Sequence, residues 1–281
     1  MAEIAELNNL CTQIRRDILR MVHKVNSGHP GGSLGCTEFF VALFSEVMEH
    51  NPNFSMEGKN EDLFFLSNGH ISPVYYATLA RSGYFPVEEL NTFRLLNSRL
   101  QGHPATHEKL PGIRVATGSL GQGLSVACGA ALGKKQANDN KLVYVLQGDG
   151  ELQEGQNWEA YMFAAHYKID NLIVTIDRND AQIDGRTIDV MNIGDVAEKL
   201  KVFGWEVLEI EKGNDIEQVI LNLNKAKSLT KKGKPVAIVM NTFMGFGVDY
   251  MHDKYQWHGK APNDEQLEVA LNQLEETIGD Y

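Results

Sequence analysis

Residues 141–180 read KLVYVLQGDGELQEGQNWEAYMFAAHYKIDNLIVTIDRND, and this stretch decides the fold class. Its two apolar runs, KLVYVLQ and NLIVTID, are bounded by turn-forming residues and predict buried strands. The segment NWEAYMFAAHYK between them predicts a helix. A strand, a helix and a second strand in this order form a βαβ unit, in which the two strands are parallel.

The same alternation continues along the chain. The predicted helices cover about residues 7–25, 34–48, 72–81, 86–96, 121–136, 157–168, 195–203 and 216–229, and the predicted strands cover 63–66, 141–147, 171–177, 205–210 and 235–241. This pattern predicts an α/β fold, a mostly parallel sheet with helices on both faces. Because no internal repeat or low-complexity tract is visible, we expect one domain over residues 1–281, with a polar helical tail from about residue 263.

Composition excludes several classes of partner. The formal net charge of −11 makes nucleic acid an unexpected partner. No run approaches the roughly 18 apolar residues that a membrane-spanning helix needs. Cys11, Cys36 and Cys128 lie far apart without metal-ligand spacing, which is typical of buried thiols in a reducing compartment. The first ten residues carry acids and no long apolar core, so we expect no signal peptide and a cytoplasmic protein.

Asp149 follows the first strand of the βαβ unit, and Asn179 follows the second. Both residues are therefore expected at the carboxyl edge of one sheet, where open α/β sheets bind ligands. If the two strands are neighbours, the residues lie about 5 Å apart along the sheet. A carboxylate and an amide are hard oxygen donors, and they favour magnesium or calcium over zinc.

The glycines around Asp149 favour an anionic ligand beside this metal. Gly148 and Gly150 let the backbone approach a ligand closely, and the following helix N-terminus attracts negative charge. An ordinary capped turn would explain GDG alone. Asn179 stands after a gap of 28 residues and directly after the next strand, and this position favours a site for a metal and a diphosphate.

The combination of GDG and a distant asparagine resembles the thiamin diphosphate motif. In that family the aspartate, the asparagine and a backbone carbonyl two residues beyond the asparagine hold the metal. The resemblance therefore implies that Asp149, Asn179 and the carbonyl of Ala181 bind Mg²⁺, or Ca²⁺ or Mn²⁺ in its place. The cofactor that it implies is thiamin diphosphate.

Four histidines stand in glycine-rich or loop contexts: His29 in NSGHPGGSLG, His70 in SNGH, His103 in GHP and His258 in WHG. Histidine suits proton transfer near neutral pH and hydrogen bonds to hydroxyls or phosphate. With ATGSLGQGLS and EGQNWEA, these segments look like transketolase, specifically its amino-terminal, diphosphate-binding half. The resemblance covers nearly all 281 residues.

The resemblance implies a role for three histidines at the reacting centre. His29 and His258 match histidines that line the substrate channel and assist proton transfer. His103 matches a histidine that contacts the donor ketose. His258 also belongs to the expected cofactor-binding residues.

Other positions are implied to hold the cofactor or a second subunit. His70 and the backbone of Gly118, Ser119 and Leu120 match cofactor-binding positions. Glu154 matches a glutamate at the contact between cofactor-binding halves.

The resemblance covers less than half of a full-length transketolase. A pyrimidine-binding domain and a C-terminal domain normally follow, and this sequence ends at Tyr281. The resemblance therefore implies the amino-terminal subunit of a two-chain transketolase of the pentose phosphate pathway, a heterotetramer with a C-terminal subunit. Its reaction would transfer a two-carbon ketol unit from a ketose phosphate to an aldose phosphate.

Two alternatives stay open on the sequence. The α subunit of a 2-oxoacid dehydrogenase, or a split relative that makes deoxyxylulose phosphate, would share GDG and the asparagine. Neither is expected to combine NSGHPGG, GHP and WHG. A non-catalytic cofactor-binding module is the second alternative. Such a module would be expected to lose its charged ligands or histidines first, whereas this chain keeps them.

Overall fold

The computed structural model describes residues 2–281, and a sheet of five parallel strands lies at its centre. The strands are β1 Leu63–Leu66, β2 Val143–Gly148, β3 Leu172–Arg178, β4 Glu206–Ile210 and β5 Val236–Asn241. Their spatial order is β1-β2-β3-β5-β4. The predicted parallel sheet is confirmed, and so is the expected pairing of β2 with β3.

Helices connect the strands. They are α1 Ile4–Lys24, α2 Pro30–Gly35, α3 Thr37–Ala42, α4 Ser72–Arg81, α5 Gly123–Gln136, α6 Gly155–His166, α7 Thr187–Met191, α8 Val196–Val202, α9 Ile216–Leu229 and α10 Asp264–Gln273. A π-helical turn continues α3 over Leu43–Val47, and short 3₁₀ helices cover Gly69–Ile71, Val87–Thr92, Thr106–Glu108, Gly150–Gln153 and Tyr255–Trp257. No helix within residues 2–281 has the length and apolarity needed to cross a membrane.

Helices cover both faces of the sheet because successive strand residues point to opposite sides. In β1, Phe64 and Leu66 belong to the core cluster that includes residues of α1, α3 and α4, whereas Leu63 and Phe65 belong to the cluster that includes residues of α5 and α6. This two-sided burial explains the uninterrupted apolar run LFFL. Because helices cover both faces, the carboxyl ends of the strands are where the sheet can be reached by a ligand.

The predicted helix break in NSGHPGG is confirmed, because α1 ends at Lys24 and the next helix begins only at Pro30. The proline and the glycines after it form the short helix α2, which was not predicted. Pro30 occupies the first turn of α2, where its missing N–H is not needed. The glycines of α2 serve close packing: a Cβ atom on Gly32 would lie 2.9 Å from Cγ2 of Ile71, and one on Gly35 would lie 2.8 Å from the carbonyl oxygen of Phe243. The helix predicted for residues 34–48 is divided at Cys36: α2 ends at Gly35, and α3 begins at Thr37.

The helix predicted for residues 86–96 is wrong. Only the 3₁₀ helix Val87–Thr92 forms, because Phe93 is extended and Arg94 takes a left-handed conformation with φ 56°. The N–H of Arg94 donates to the carbonyl of Leu100 at 2.8 Å, which closes a loop instead of continuing the helix. This loop leads into the GHP segment.

The polar helix at the C-terminal end begins as predicted but is shorter. The side chain of Asn263 caps α10 by accepting from the N–H of Gln266 at 2.8 Å, and the helix ends at Gln273 instead of residue 278. The following segment returns to α1, where Arg16 pairs with Asp280 at 2.6 Å. A further short helix, α7, was not predicted.

Candidate active site

The two predicted turns meet at the carboxyl edge of the sheet. Gly148 at the end of β2 pairs with Asp177 near the end of β3, and the N–H of Asp149 donates to the carbonyl of Asp177 at 3.1 Å. Asp149 and Asn179 therefore follow two paired strands on one edge, as the sequence predicted. Both side chains are buried.

Backbone donors hold the carboxylate of Asp149. Its Oδ1 accepts from the N–H of Gly150 at 2.7 Å, and its Oδ2 accepts from the N–H of Asp180 at 2.6 Å. Burial raises the pKa of Asp149 to about 7, and the nearby carboxylate of Asp177 acts in the same direction. A cation beside Asp149 would favour the charged form of this carboxyl.

Asn179 makes one hydrogen bond at each end of its amide. Its Nδ2 donates to Oδ2 of Asp177 at 2.7 Å, and its Oδ1 accepts from the N–H of Ala181 at 3.0 Å. Residues 2–281 contain no cluster of three or more His, Cys, Asp or Glu side chains that could hold a metal. The expected set of one carboxylate, one amide and one carbonyl would not form such a cluster, and it remains suited to a hard cation.

A cavity of about 400 Å³ adjoins this edge. Its wall is formed by His29, Gly32, Asn68, His70, Ile71, Gly118, Leu120, residues 148–151, Gln153, Glu154, Asp177, Asn179, residues 181–183 and His258. The wall contains four carboxyl side chains, those of Asp149, Glu151, Glu154 and Asp177, and none of its described residues is a lysine or an arginine. An anion in this cavity would therefore need a cation for its charge.

Four histidines from separate parts of the chain meet at this cavity. The ring centroids of His29, His70 and His258 lie 4.9 to 5.6 Å apart. His103 stands further out, 6.3 Å from His29, and it is exposed and does not line the cavity. Three of the four predicted histidines thus share the wall, and the fourth lies beside it.

The local environment favours the neutral form of these histidines. Burial lowers the pKa of His29 to about 4, and His258, Arg94 and His103 act in the same direction. Burial also holds the pKa of His70 well below its usual value and lowers the pKa of His258. A neutral imidazole presents one N–H donor and one acceptor nitrogen. The cluster can therefore both donate and accept hydrogen bonds at neutral pH.

The segment around residues 117–121 forms another part of the wall. Gly118 has φ 123°, and a Cβ atom there would lie 2.6 Å from Cδ2 of His103. Only glycine combines this conformation with this close approach. Gly118 and Leu120 line the cavity, whereas Ser119 is exposed and does not. Glu154 is exposed at the cavity rim, directly before α6.

Sequence reasoning missed Glu151, a buried acid in the cavity wall. Its carboxylate accepts from the hydroxyl of Ser67, from the N–H of Gly121 at 2.8 Å and from the N–H of Gly148 at 3.1 Å. It therefore ties the residue that follows β1, the 117–121 segment and the GDG turn together. The acid after GDG was visible in the sequence, but nothing there indicated its distant donors.

Sequence reasoning also missed Asp177 and Asn68. Asp177 ends the apolar run NLIVTID, where an acid in a buried strand was the available signal. The Oδ1 atom of Asn68 is buried and has no hydrogen-bond partner among residues 2–281, and this residue lines the cavity. An unpaired buried polar atom at a cavity is typical of a ligand site.

The family described as "Transketolase, thiamine diphosphate binding domain" matches residues 7–276. An apulose-4-phosphate transketolase subunit from Actinobacillus succinogenes is 39% identical over 274 residues, which cover 96% of this chain and 96% of that protein. A 6-deoxy-6-sulfo-D-fructose transketolase subunit from Clostridium sp. (strain MSTE9) is 36% identical over 273 residues, which cover 96% of this chain and 96% of that protein.

Longer transketolases match this chain over less than half of their own length. Human transketolase is 34% identical over 275 residues, which cover 97% of this chain and 42% of the human protein. The crystal structure of transketolase from Campylobacter jejuni superimposes with a TM-score of 0.89 at 34% identity, over 97% of this chain and 43% of that one.

Proposed function

Because the chain belongs to the transketolase family, through its thiamine diphosphate binding domain, we propose that it is the amino-terminal subunit of a two-chain transketolase. Together with a separate subunit, it transfers a two-carbon ketol unit from a ketose phosphate to an aldose phosphate. The observation that carries the proposal is the acidic cavity at the carboxyl ends of β2 and β3, with the histidine cluster on its wall.

The donor chemistry of this edge fits magnesium and a diphosphate. Asp149, Asn179 and the carbonyl of Ala181 would hold Mg²⁺, or Ca²⁺ or Mn²⁺ in its place. Magnesium usually keeps few protein ligands and completes its shell with phosphate and water. Since the cavity wall contains carboxyl groups and no lysine or arginine among its described residues, the cation neutralises the diphosphate there.

Bound thiamin diphosphate would supply an electron sink for carbanion chemistry, and the protein positions the reacting groups. Gly148 and Gly150 let the backbone approach the diphosphate. His70 and the backbone of the 118–120 segment, which comprises Gly118, Ser119 and Leu120, bind the rest of the cofactor. The interior position of His70 in the cavity wall supports this role.

The neutral histidines serve the substrate. The Nδ1 atoms of His29 and His258 are buried without a hydrogen-bond partner among residues 2–281, so a substrate hydroxyl could bond to them and exchange a proton there. His258 also adjoins the cofactor. His103, exposed beside Gly118, contacts the donor ketose at the outer end of the channel.

The proposed partner is a subunit that carries the pyrimidine-binding and C-terminal domains. The coverage of the relatives supports it, because the chain matches 96% of the Actinobacillus succinogenes protein but only 42% of the human one. Glu154, exposed at the rim, would contact a neighbouring subunit in a heterotetramer. We further propose that residues 2–281 form one diphosphate-binding domain, with the polar tail from about residue 263; residue 1, which the predicted domain also includes, lies outside the described residues.

The names of two relatives bear on the substrate. One includes apulose 4-phosphate, and another includes 6-deoxy-6-sulfo-D-fructose. We therefore propose sugar substrates that carry a phosphate or another anionic group, with the pentose phosphate pathway as one setting. A cytoplasmic location is supported by the three cysteines, which are all buried as free thiols.

The proposal is tested with the chain alone and in complex with a candidate C-terminal subunit. Ketol transfer from a panel of ketose phosphates and 2-oxoacids is measured with magnesium and thiamin diphosphate. Activity should require both chains and should favour ketose phosphates. Full activity of the isolated chain would contradict the two-chain site, and activity on 2-oxoacids alone would contradict the reaction.

A matched pair of variants tests the metal assignment. Asp149→Ala should abolish magnesium-dependent binding of thiamin diphosphate, measured by calorimetry on the two-chain protein. Asp184→Ala makes the same change on an exposed side chain of the loop after Asn179, and it should leave binding unchanged. Retained binding in Asp149→Ala would refute the metal site.

A further inference from the structure

We propose that Asp177 is a positioning residue that orients the amide of Asn179, so that its oxygen faces the metal, and strengthens the attraction of this edge for a cation. The inference rests on the proposed function, because it concerns the same metal site. Asp177 is not a member of the metal-binding set that the motif implies. It acts through Asn179 instead of touching the cation.

Asp177 lies at the centre of the sheet, near the end of β3. It pairs with Gly148 of β2 on one side and with Met240 of β5 on the other. Its carboxylate accepts hydrogen bonds from the hydroxyl of Thr242 and from Nδ2 of Asn179, the latter at 2.7 Å. The side chain is thus held by the residue that follows β5 and by the asparagine.

The burial of Asp177 calls for an explanation. The residue is 1% exposed, and within residues 2–281 it forms no ion pair with a lysine, arginine or histidine. A buried carboxylate without a cationic partner is unfavourable. Its position in the cavity wall beside the proposed metal site supplies the reason, since a divalent cation there would offset the charge.

The two hydrogen bonds of Asn179 fix the orientation of its amide. A carboxylate only accepts, so the atom that faces Asp177 is the nitrogen. A backbone N–H only donates, so the atom that faces the N–H of Ala181 is the oxygen. Two independent neighbours therefore agree on the same orientation. The oxygen of Asn179 lies on the side of Ala181, which lines the cavity.

This arrangement matches how proteins tune metal ligands. Residues that hydrogen-bond a metal ligand fix its orientation, and their loss typically costs 10–100-fold in metal affinity. Replacing Asp177 by asparagine would remove the charge and would leave only the N–H of Ala181 to favour the present orientation of the Asn179 amide. Part of the molecules would then present a nitrogen to the cation.

The role of Asp177 is tested by measuring Mn²⁺ binding to the assembled two-chain protein with thiamin diphosphate present, by electron paramagnetic resonance of free Mn²⁺. Asp177→Asn should weaken Mn²⁺ binding by about 10–100-fold. Asp184→Asn, with the same chemical change on an exposed side chain, should bind like the parent protein. The thermal unfolding midpoint of each metal-free variant reports whether the fold is retained.

A charge-swapped variant separates positioning from a merely structural role. In Asp177→Asn with Asn179→Asp, the new carboxylate at 179 offers an oxygen to the cation in either orientation and accepts from the new amide at 177. Mn²⁺ affinity should return to within about fivefold of the parent, a loss of roughly 1 kcal/mol at most. A structural role alone predicts no such rescue.

The outcomes distinguish this inference from the proposed function. Asp177→Asn with Mn²⁺ affinity within twofold of the parent would overturn the role of Asp177 and leave the metal site standing. A parent protein that binds no Mn²⁺ would overturn the metal site itself. If Asp177→Asn does not fold, the charge-swapped variant decides, and its failure to bind Mn²⁺ while folded contradicts the inference.

Discussion

The imidazoles of His29 and His258 meet edge to face with their centroids 5.6 Å apart, and the buried Nδ1 of each has no hydrogen-bond partner among residues 2–281. Unpaired buried polar atoms cost free energy, and the proposed function assigns this pair to the hydroxyl groups of a substrate. Each ring offers an acceptor nitrogen only while its imidazole is neutral, because both nitrogens of a protonated imidazole are donors.

Acid should destabilise the protein through His29. Burial lowers its pKa to about 4, whereas in the unfolded chain the pKa is about 6.5. Because the unfolded state binds the proton first, stability should fall as the pH drops below 6.5 and should stop falling near 4. For His29→Asn, the loss of unfolding free energy between pH 7 and pH 5 should be smaller by about 1–2 kcal/mol.

The measurement is urea unfolding of the parent and the variant at both pH values. His107→Asn is the control, because His107 is exposed and lies outside the cluster. An equal loss of stability in the parent and in His29→Asn would contradict the burial of a neutral imidazole.

Arg94 should help to keep the histidine loops in place and neutral. Its NH1 donates to the hydroxyl of Ser27 at 2.8 Å, two residues before His29, and its guanidinium packs on Gly102, directly before His103. Burial first, and then the charge of Arg94, lowers the pKa of His103. Arg94→Met should therefore raise the pKa of His103.

The pKa of each ring is followed by nuclear magnetic resonance. Arg99→Met serves as the control, because Arg99 lies in the same loop but pairs with Glu89 at 2.7 Å. Identical titration of His103 in both variants would show that the charge of Arg94 does not reach the cluster.

Gly118→Ala should weaken cofactor binding and destabilise the fold. The methyl group would meet the ring of His103 at 2.6 Å in a backbone conformation with φ 123°. A strained residue of this kind costs on the order of 1–3 kcal/mol.

Gly129→Ala provides the matched control, because a Cβ atom there meets nothing within 4 Å and the residue lies inside α5. It should stabilise the chain by about 0.5–1 kcal/mol. Chemical unfolding of the two variants should therefore give changes of opposite sign. Changes of the same sign would refute the close approach at residue 118.

The C-terminal segment should contribute stability through Asp280. Hydrogen bonding to Arg16 is the main cause that lowers the pKa of Asp280 to about 2. The lowered pKa means that this contribution is present above about pH 4 and is lost as the pH falls towards 2. Asp280→Asn should lower the urea midpoint at pH 7, where the contribution is fully present.

Glu276→Gln is the comparison for Asp280→Asn, since Glu276 is 55% exposed and lies 3.9 Å from Arg16. An exposed pair of this kind contributes little. Equal midpoints for the two variants would argue against a specific role of Asp280.

The edge of the sheet was predictable because parallel strands place their carboxyl ends together. The apolar runs around Asp149 and Asn179 were sufficient to bring both residues to one edge, and the register of β2 with β3 confirms that position. The sequence also predicted that the fold is α/β. Both features follow from short apolar runs in the sequence, because each run forms a strand and parallel strands place the residues that follow them at the same edge.

The arrangement of the histidines could not be predicted from the residues alone. Four loops that are distant in sequence bring His29, His70, His103 and His258 together, and no local pattern reports such contacts. Propensity also failed at Arg94, where one left-handed residue ended a predicted helix. In both cases, contacts between residues that are apart in the sequence determined the structure, and local helix propensity did not.

The four carboxyl groups of the cavity wall have a consequence for how the active protein forms. Under the proposed function, these groups would repel a diphosphate that arrives without a cation, and a cation without the diphosphate would lack the phosphate oxygens that complete its coordination shell. Each ligand would therefore complete the binding site of the other. Occupancy of the site should rise with the product of the free concentrations of the metal and of thiamin diphosphate. A shortage of the metal would then empty the site as effectively as a shortage of the cofactor.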